Sequence, residues 1–257
     1  MEKNDNRFME ITDGIDIADH PSTLDESTVK GRVIIRDHDT GEILHEEDNL
    51  VLMRTRVWLF ERLFNVDPPS SYTGAKKNAK RNICLFSIGS GGADVNANAF
   101  TPFTPKFNDS DLGQPIPFVT IDPDKANNSE AQANPSIVTG LSTEQSKTYY
   151  MGEDMPDGTK PYYAKRFKGA TDSNPLGESK KWVIDQHTGG VAFSLALTVD
   201  RDEARGTQFN EIGLWVGEFN SSQNDYKDLF LASRLTFSTE SLNSLTKAID
   251  IEYLMYI

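Results

Sequence analysis

The sequence predicts a mainly β protein: an antiparallel β-sandwich with one short helix and long irregular loops or arms. Three observations carry that prediction. First, the stretch from Thr207 to Ile257 falls into three apolar runs separated by polar spacers. They read T-Q-F-N-E-I-G-L-W-V, L-F-L-A-S-R-L-T-F and K-A-I-D-I-E-Y-L-M-Y-I. In the last, Ile249, Ile251, Tyr253, Met255 and Ile257 alternate with Ala248, Asp250, Glu252, Leu254 and Tyr256. Strand side chains point alternately to opposite faces, so this pattern lays one apolar face on a core. Three such runs in succession read as a β-meander or a Greek-key fragment. Second, Phe193, Leu195, Leu197 and Val199 alternate with Ser194, Ala196, Thr198 and Asp200, the pattern of a half-buried strand. Third, only one stretch has helical periodicity.

From the N-terminus, residues 1–28 are polar and acidic without sustained periodicity and read as an extended or flexible arm. Residues 29–257 read as a single sandwich domain. V-K-G-R-V-I-I-R-D-H and I-L-H-E-E-D form a hairpin turning at Thr40-Gly41. Leu52, Leu59, Phe60, Leu63 and Phe64 then mark the apolar face of a helix over 54–65. Asn49 or Thr55 caps it, Arg56 and Arg62 are solvated, and Pro68-Pro69 lies just beyond. Residues 66–81 are a loop carrying the basic cluster Lys76, Lys77, Lys80 and Arg81. I-C-L-F-S-I-G is a strand running into S-G-G-A. Prolines 102, 105, 115 and 117 exclude regular internal sheet or helix from the next segment, where Phe100, Phe103 and Phe107 anchor an irregular strap across a surface. Residues 122–180 read as an irregular insertion with a few short strands, an arm toward a neighbour. W-V-I-D and the 191–200 run resume the β pattern.

Composition narrows the function classes. The 257 residues carry a net charge of -13, and phosphate binding over a surface needs the opposite sign, so nucleic acid is not an expected partner. No apolar run approaches the roughly 20 residues of a membrane span. The single cysteine, Cys84, sits between Ile83 and Leu85, where inert buried thiols are found. With no apolar leader at the N-terminus, the chain is expected to mature in a reducing cytosol.

No catalytic, cofactor or metal site is predicted. Asp37-His38-Asp39-Thr40-Gly41 and Asp109-Ser110-Asp111-Leu112-Gly113 share a D-x-D-x-G spacing but lack the twelve-residue loop and terminal glutamate of a calcium site. His38 and His45 fall on adjacent strands without a third ligand. I-G-S-G-G-A (88–93) lacks the lysine of a phosphate loop and reads as flexible backbone at a strand end. Glu46-Glu47 and Asp200, Asp202 and Glu203 are carboxylate groupings that could serve a glycosidase, but acidic turns are common in a chain this acidic and nothing else supports an enzyme.

The order of segments is more informative than any one of them. A hairpin closed by D-T-G-E leads through D-N-L-V to the helix W-L-F-E-R-L-F. A strand ends in F-S-I-G-S-G-G-A, a proline-broken segment ends in D-S-D-L, and F-N-E-I-G-L-W-V, L-A-S-R-L-T-F and K-A-I-D-I-E-Y follow. Over 29–113 and 182–257 this order resembles structural proteins of tailed bacteriophage particles, in the tail, baseplate or fibre-attachment region. The resemblance implies a non-enzymatic virion component of largely β fold, assembled in host cytoplasm in symmetric copies with other virion proteins. It leaves a neck or head-surface position open.

Phe100, Phe103, Phe107, Asn210, Glu211 and Trp215 are the candidate subunit contacts on that reading. Asn210, Glu211 and Gly213 also have a plainer reading, with Asn-Glu entering a strand and Gly213 allowing close packing beside Trp215. An alternative function is a host-surface carbohydrate-binding module using exposed Tyr149, Tyr150, Tyr162, Tyr163 or Trp182.

Overall fold

A computed structural model describes residues 30–64, 81–94, 101–106, 108–125, 133–171, 174–177, 180–184, 191–237 and 248–256. The strands in chain order are β1 (Lys30–Asp37), β2 (Ile43–Val51), β3 (Asn82–Gly89), β4 (Ala93–Asp94), β5 (Thr101–Pro102), β6 (Pro115–Ile116), β7 (Val119–Ile121) and β8 (Ile137–Val138). They continue with β9 (Tyr149–Gly152), β10 (Lys160–Arg166), β11 (Lys180–Ile184), β12 (Val191–Val199), β13 (Glu211–Asn220), β14 (Asp225–Thr236) and β15 (Ile249–Tyr256). An α-helix, α1 (Met53–Phe64), follows β2. The fold is mainly β and antiparallel, as the sequence predicts.

One continuous hydrogen-bonded sheet of 13 strands folds into two layers that share a core. One layer runs β11-β12-β15-β1-β2 and the other β14-β13-β3-β10-β7-β8, joined where Val51 and Leu50 of β2 pair with Ser233 and Arg234 of β14. All pairings but β7 with β8 are antiparallel. The period-two pattern of the C-terminal run sets the register of the first layer. Ile251 lies opposite Leu197 on one side and Ile35 on the other, and Tyr253 opposite Leu195 and Val33. These rows pack against Phe86, Ile88, Ile212, Leu214 and Leu235 of the second layer in one continuous core. A one-residue slip would turn every inward side chain outward, so the burial pattern fixes the register.

The three C-terminal runs are not a meander. β14 pairs with β13, but β15 sits between β12 and β1 in the opposite layer. β12 and β13 likewise lie in opposite layers, so the chain crosses the sandwich twice in its last third. Strict alternation also fails along β14, where Phe230, Leu231, Ala232 and Ser233 are all buried. The register shifts where β13 pairs with it, and Asp228 takes a φ of 52°. The reason is cover on both faces. Leu235 joins the central core, while Phe230 and Ala232 pack with Val216 beneath Trp58 of α1.

α1 starts at Met53, and neither predicted cap serves it. Asn49 pairs with Gly31 inside the β1–β2 ladder. Thr55 instead donates its hydroxyl to the Ala232 carbonyl at 2.6 Å, tying the first turn of the helix to β14. Arg56 is half-buried rather than solvated, with Nε 3.3 Å from the Val51 carbonyl. Leu59 is half-buried, and the side chains of Phe60, Arg62, Leu63 and Phe64 lie outside the described residues.

The stretch 122–180 is not an arm. It supplies β10, which pairs with β3, β7 and β9 inside the second layer, and it buries Tyr149, Tyr150, Ala164 and Phe167. Its polar composition conceals this because the apolar residues sit in three short clusters, too brief for a periodic signal. Prolines 102 and 115 enter only two-residue strands, β5 and β6, while 105 and 117 lie in none. The 1–28 arm and the lysines at 76, 77 and 80 lie outside the described residues, and Arg81 is buried.

Candidate functional site

The densest polar constellation is built where β13 begins. Glu211 is wholly buried. Its Oε1 accepts the backbone N–H of Gly91 (3.0 Å) and of Gln114 (2.9 Å). Its Oε2 accepts the N–H of Gly113 (3.0 Å) and two guanidinium N–H groups of Arg234, Nε at 3.0 Å and Nη2 at 2.7 Å. Arg234 Nη1 reaches Asp109 at 2.8 Å. The neighbouring Asn210 accepts the Gly92 N–H at 2.6 Å. Burial works to lower the Arg234 pKa, but the hydrogen bonds to Asp109 and Glu211 outweigh it and hold the guanidinium above its ordinary value.

Five N–H groups fill the lone-pair capacity of one carboxylate. Glu211 therefore has no oxygen left for a substrate, a proton or a metal; it clamps two loops. The glycines of 89–92 are there for close approach. A Cβ on Gly92 would stand 2.2 Å from the Asn210 carbonyl oxygen, and one on Gly91 2.5 Å from the Gln114 nitrogen. The S-G-G segment is thus pinned rather than flexible, a correction whose cause is a partner more than a hundred residues away.

The candidate contact residues separate accordingly. Asn210, Glu211 and Trp215 are buried and spend their polar atoms inside the chain, with Trp215 donating Nε1 to Ser87 Oγ at 2.7 Å. They are not available to a neighbouring subunit. Phe103 is 49% exposed on a strap anchored to the clamp, its N–H donated to Gly92 (2.8 Å) and its carbonyl accepting from Thr236. Phe100 and Phe107 lie outside the described residues.

A second buried charge cluster lies across the sandwich. Lys165 Nζ donates to Glu203 (2.7 Å), Asp200 (2.9 Å) and the Thr198 carbonyl (3.0 Å), and Tyr149 donates its hydroxyl to Glu203. Burial, then the charge of Glu203, pushes the Tyr149 phenol well above its ordinary pKa. These contacts bind β10, β9 and the β12–β13 crossover together. Four of the carboxylates set out for a glycosidase are therefore engaged, Asp200 and Glu203 here, Glu46 with Arg32 at 2.7 Å and Glu47 with His45 at 3.1 Å, while Asp202 is exposed.

Next along β10, Arg166 lies among three rings, 4.7 Å from the centroid of Phe219, 5.3 Å from Tyr226 and 5.4 Å from Tyr150, and donates Nε to the Tyr226 hydroxyl at 2.7 Å. Cys84 is 1% exposed with its thiol 3.6 Å from the Trp215 carbonyl, and burial pushes its pKa far up. Cys84 is expected to ignore Ellman's reagent in the native protein and to react fully once urea unfolds it. Rapid labelling of the native chain would contradict this placement.

The D-x-D-x-G segments are turn chemistry. Asp37 accepts the N–H groups of Asp39 and Thr40, and Gly41 supplies the positive φ of 72° that closes the hairpin. Asp109 faces Arg234, and Asp111 accepts the N–H of Leu112. Among the described residues no group of three or more His, Cys, Asp or Glu is placed to hold a metal. His38 pairs with Asp250 at 2.9 Å, and that hydrogen bond, followed by the Asp250 charge, raises its pKa above 6.5. The folded value lies above the unfolded one, so the contribution of this pair is complete below pH 6.5 and fades as pH rises through the folded value. NMR titration is expected to place the His38 midpoint above 6.5, with Asp250→Asn returning it toward 6.5.

The tyrosines set out as sugar platforms do not form an open surface. Tyr149 and Tyr150 are 9% and 3% exposed, with the Tyr150 hydroxyl donated to the Lys147 carbonyl. Tyr162 and Tyr163 are half-buried, and the Trp182 side chain is outside the described residues. Edges of Tyr149, Tyr150 and Tyr162 instead line a cleft of about 250 Å³, rimmed by Lys160, Gln223 and Asp225. Among the described residues no helix is long and apolar enough to cross a membrane. No protein-family model, curated protein or solved structure matches the chain.

Proposed function

We propose that this chain is a non-enzymatic structural component of a tailed-phage particle, assembling with itself and with other tail or baseplate proteins. One observation carries the reading: four of the segments on which the resemblance rests meet at Glu211. The I-G-S-G-G-A strand end, the D-S-D-L-G turn, N-E-I-G-L and S-R-L-T-F are far apart in sequence, yet each supplies a donor or acceptor to this one clamp. Shared motifs that saturate one another inside the chain mark a scaffold rather than a reaction centre. The clamp also anchors the strap that presents Phe103, which among the described candidate contact residues is exposed. The sheet offers a second element, since among the described residues β11 is paired only with β12 and leaves one edge for strand addition.

Size-exclusion chromatography with light scattering tests self-assembly, with Phe103→Asp as the probe of the strap. A defined oligomer weakened by that substitution supports the proposal. A monomer at every concentration, coupled with its absence from purified particles, overturns it. Its location in a particle reconstruction separates a baseplate position from the neck or head surface.

A further inference from the structure

The assembly reading leaves the tyrosine cleft unused. Three elements form it: β9 with β10, the tip of the β13–β14 hairpin, and the 3-10 turn at Gln145–Lys147. Two of the four described non-glycine residues with positive φ stand on its lips, Met151 at 57° and Asn224 at 50°. Such backbone is disfavoured for a side chain as large as methionine, persists only where its surroundings fix it, and gathers at ligand sites. The hairpin tip is held in place by Asn224, which donates to the Ser146 carbonyl at 3.2 Å across the cleft. Gly152, opposite Tyr162 in the ladder, lets that ring close on the β9 backbone: a Cβ there would stand 2.8 Å from it.

Charge selects the ligand class. Lys160 Nζ, 3.0 Å from Asp154 and 6.0 Å from the Tyr162 ring centroid, sets a positive charge on the rim, so a cationic ligand would meet a like charge. An anion would meet Asp225 on the rim, with the Lys160 charge offset by Asp154, on a chain of net charge -13. What suits the space is neutral, with an apolar face for Tyr162 and hydroxyls for the rim. Gln223 accepts from Asn220 at 2.6 Å through Oε1, which leaves its amide N–H groups as donors, and Asp225 provides an acceptor. The volume falls just below the roughly 300–1,000 Å³ of drug-sized pockets.

We propose that this cleft binds a neutral sugar ring of a surface glycan, stacked on Tyr162 and oriented by Gln223 and Asp225. The site is independent of the assembly reading, and the oligomeric state measured above does not depend on it. Saturation-transfer NMR on the full chain with glucose, galactose, mannose and N-acetylglucosamine at millimolar concentration is the test, with sialic acid and trimethyllysine as charged comparisons. Transfer to at least one neutral sugar is expected, weakened by roughly tenfold in affinity in Gln223→Ala and Tyr162→Ala, the effect of losing one contacting group. Tyr162 also packs on the core, so Gln223→Ala, at the exposed hairpin tip, is the deciding variant if Tyr162→Ala fails to fold. No transfer to any of the four sugars, equal transfer to folded variants, or preference for either charged compound overturns the proposal.

Discussion

Glu211→Ala is expected to lower folding stability by about 3–5 kcal/mol, the cost of stranding one charge of a buried pair. The substitution removes the acceptor of three backbone N–H groups and two guanidinium N–H groups together. Arg234, whose side chain is 12% exposed, would retain only Asp109. Glu211→Gln keeps the shape but turns an amide toward N–H donors, so an intermediate loss is expected. Urea denaturation followed by tryptophan fluorescence reads the difference, because Trp215 lies on the same strand. A loss within about 0.5 kcal/mol, the range of ordinary surface substitutions, would show that the clamp is not a stabilising feature.

Lys165→Met is expected to cost a similar amount, about 3–5 kcal/mol, for the converse reason. Here the cation goes and Glu203, with a side chain 4% exposed, is left buried beside Tyr149. The partners of Lys165 are not equal. Asp200 has a side chain 62% exposed, so Asp200→Asn is expected to change stability by less than about 1 kcal/mol. Removing both buried charges in Lys165→Met/Glu203→Leu should recover much of the loss, since an apolar pair of similar volume carries no desolvation cost. A double variant as unstable as Lys165→Met alone would mean that the cluster acts through Tyr149 and the backbone rather than through charge.

The alternating runs were readable because a strand's periodicity belongs to a few consecutive residues. β12 and β15 follow their pattern through Leu195, Leu197, Ile251 and Tyr253. The hairpin at Thr40-Gly41 was equally legible, since Asp37 and Gly41 do their work within five residues. Where a second layer covers a strand, alternation disappears, as along Phe230 to Ser233 under α1. In 122–180 the signal was present in Tyr149-Tyr150 and Tyr162-Tyr163 but too short to separate β10 from a loop.

Of the constellation at Glu211, the sequence showed the members and not the bond. N-E-I-G, I-G-S-G-G-A and S-R-L-T-F could each be picked out, yet nothing local indicates that one carboxylate reaches Gly91, Gly113 and Arg234 at once. The same holds for Lys165, which meets Asp200 and Glu203 across more than thirty residues. By itself the sequence determined the β class, the place of α1, the hairpin at Thr40-Gly41 and the inert thiol, because propensity, periodicity and turn chemistry act over short spans. The tertiary structure alone decided that β15 crosses to the opposite layer, that Asn210 and Glu211 face inward, and that a cleft opens beside Tyr162. Those outcomes depend on which distant groups can satisfy one another once water is excluded, and that pairing is settled only when the layers close.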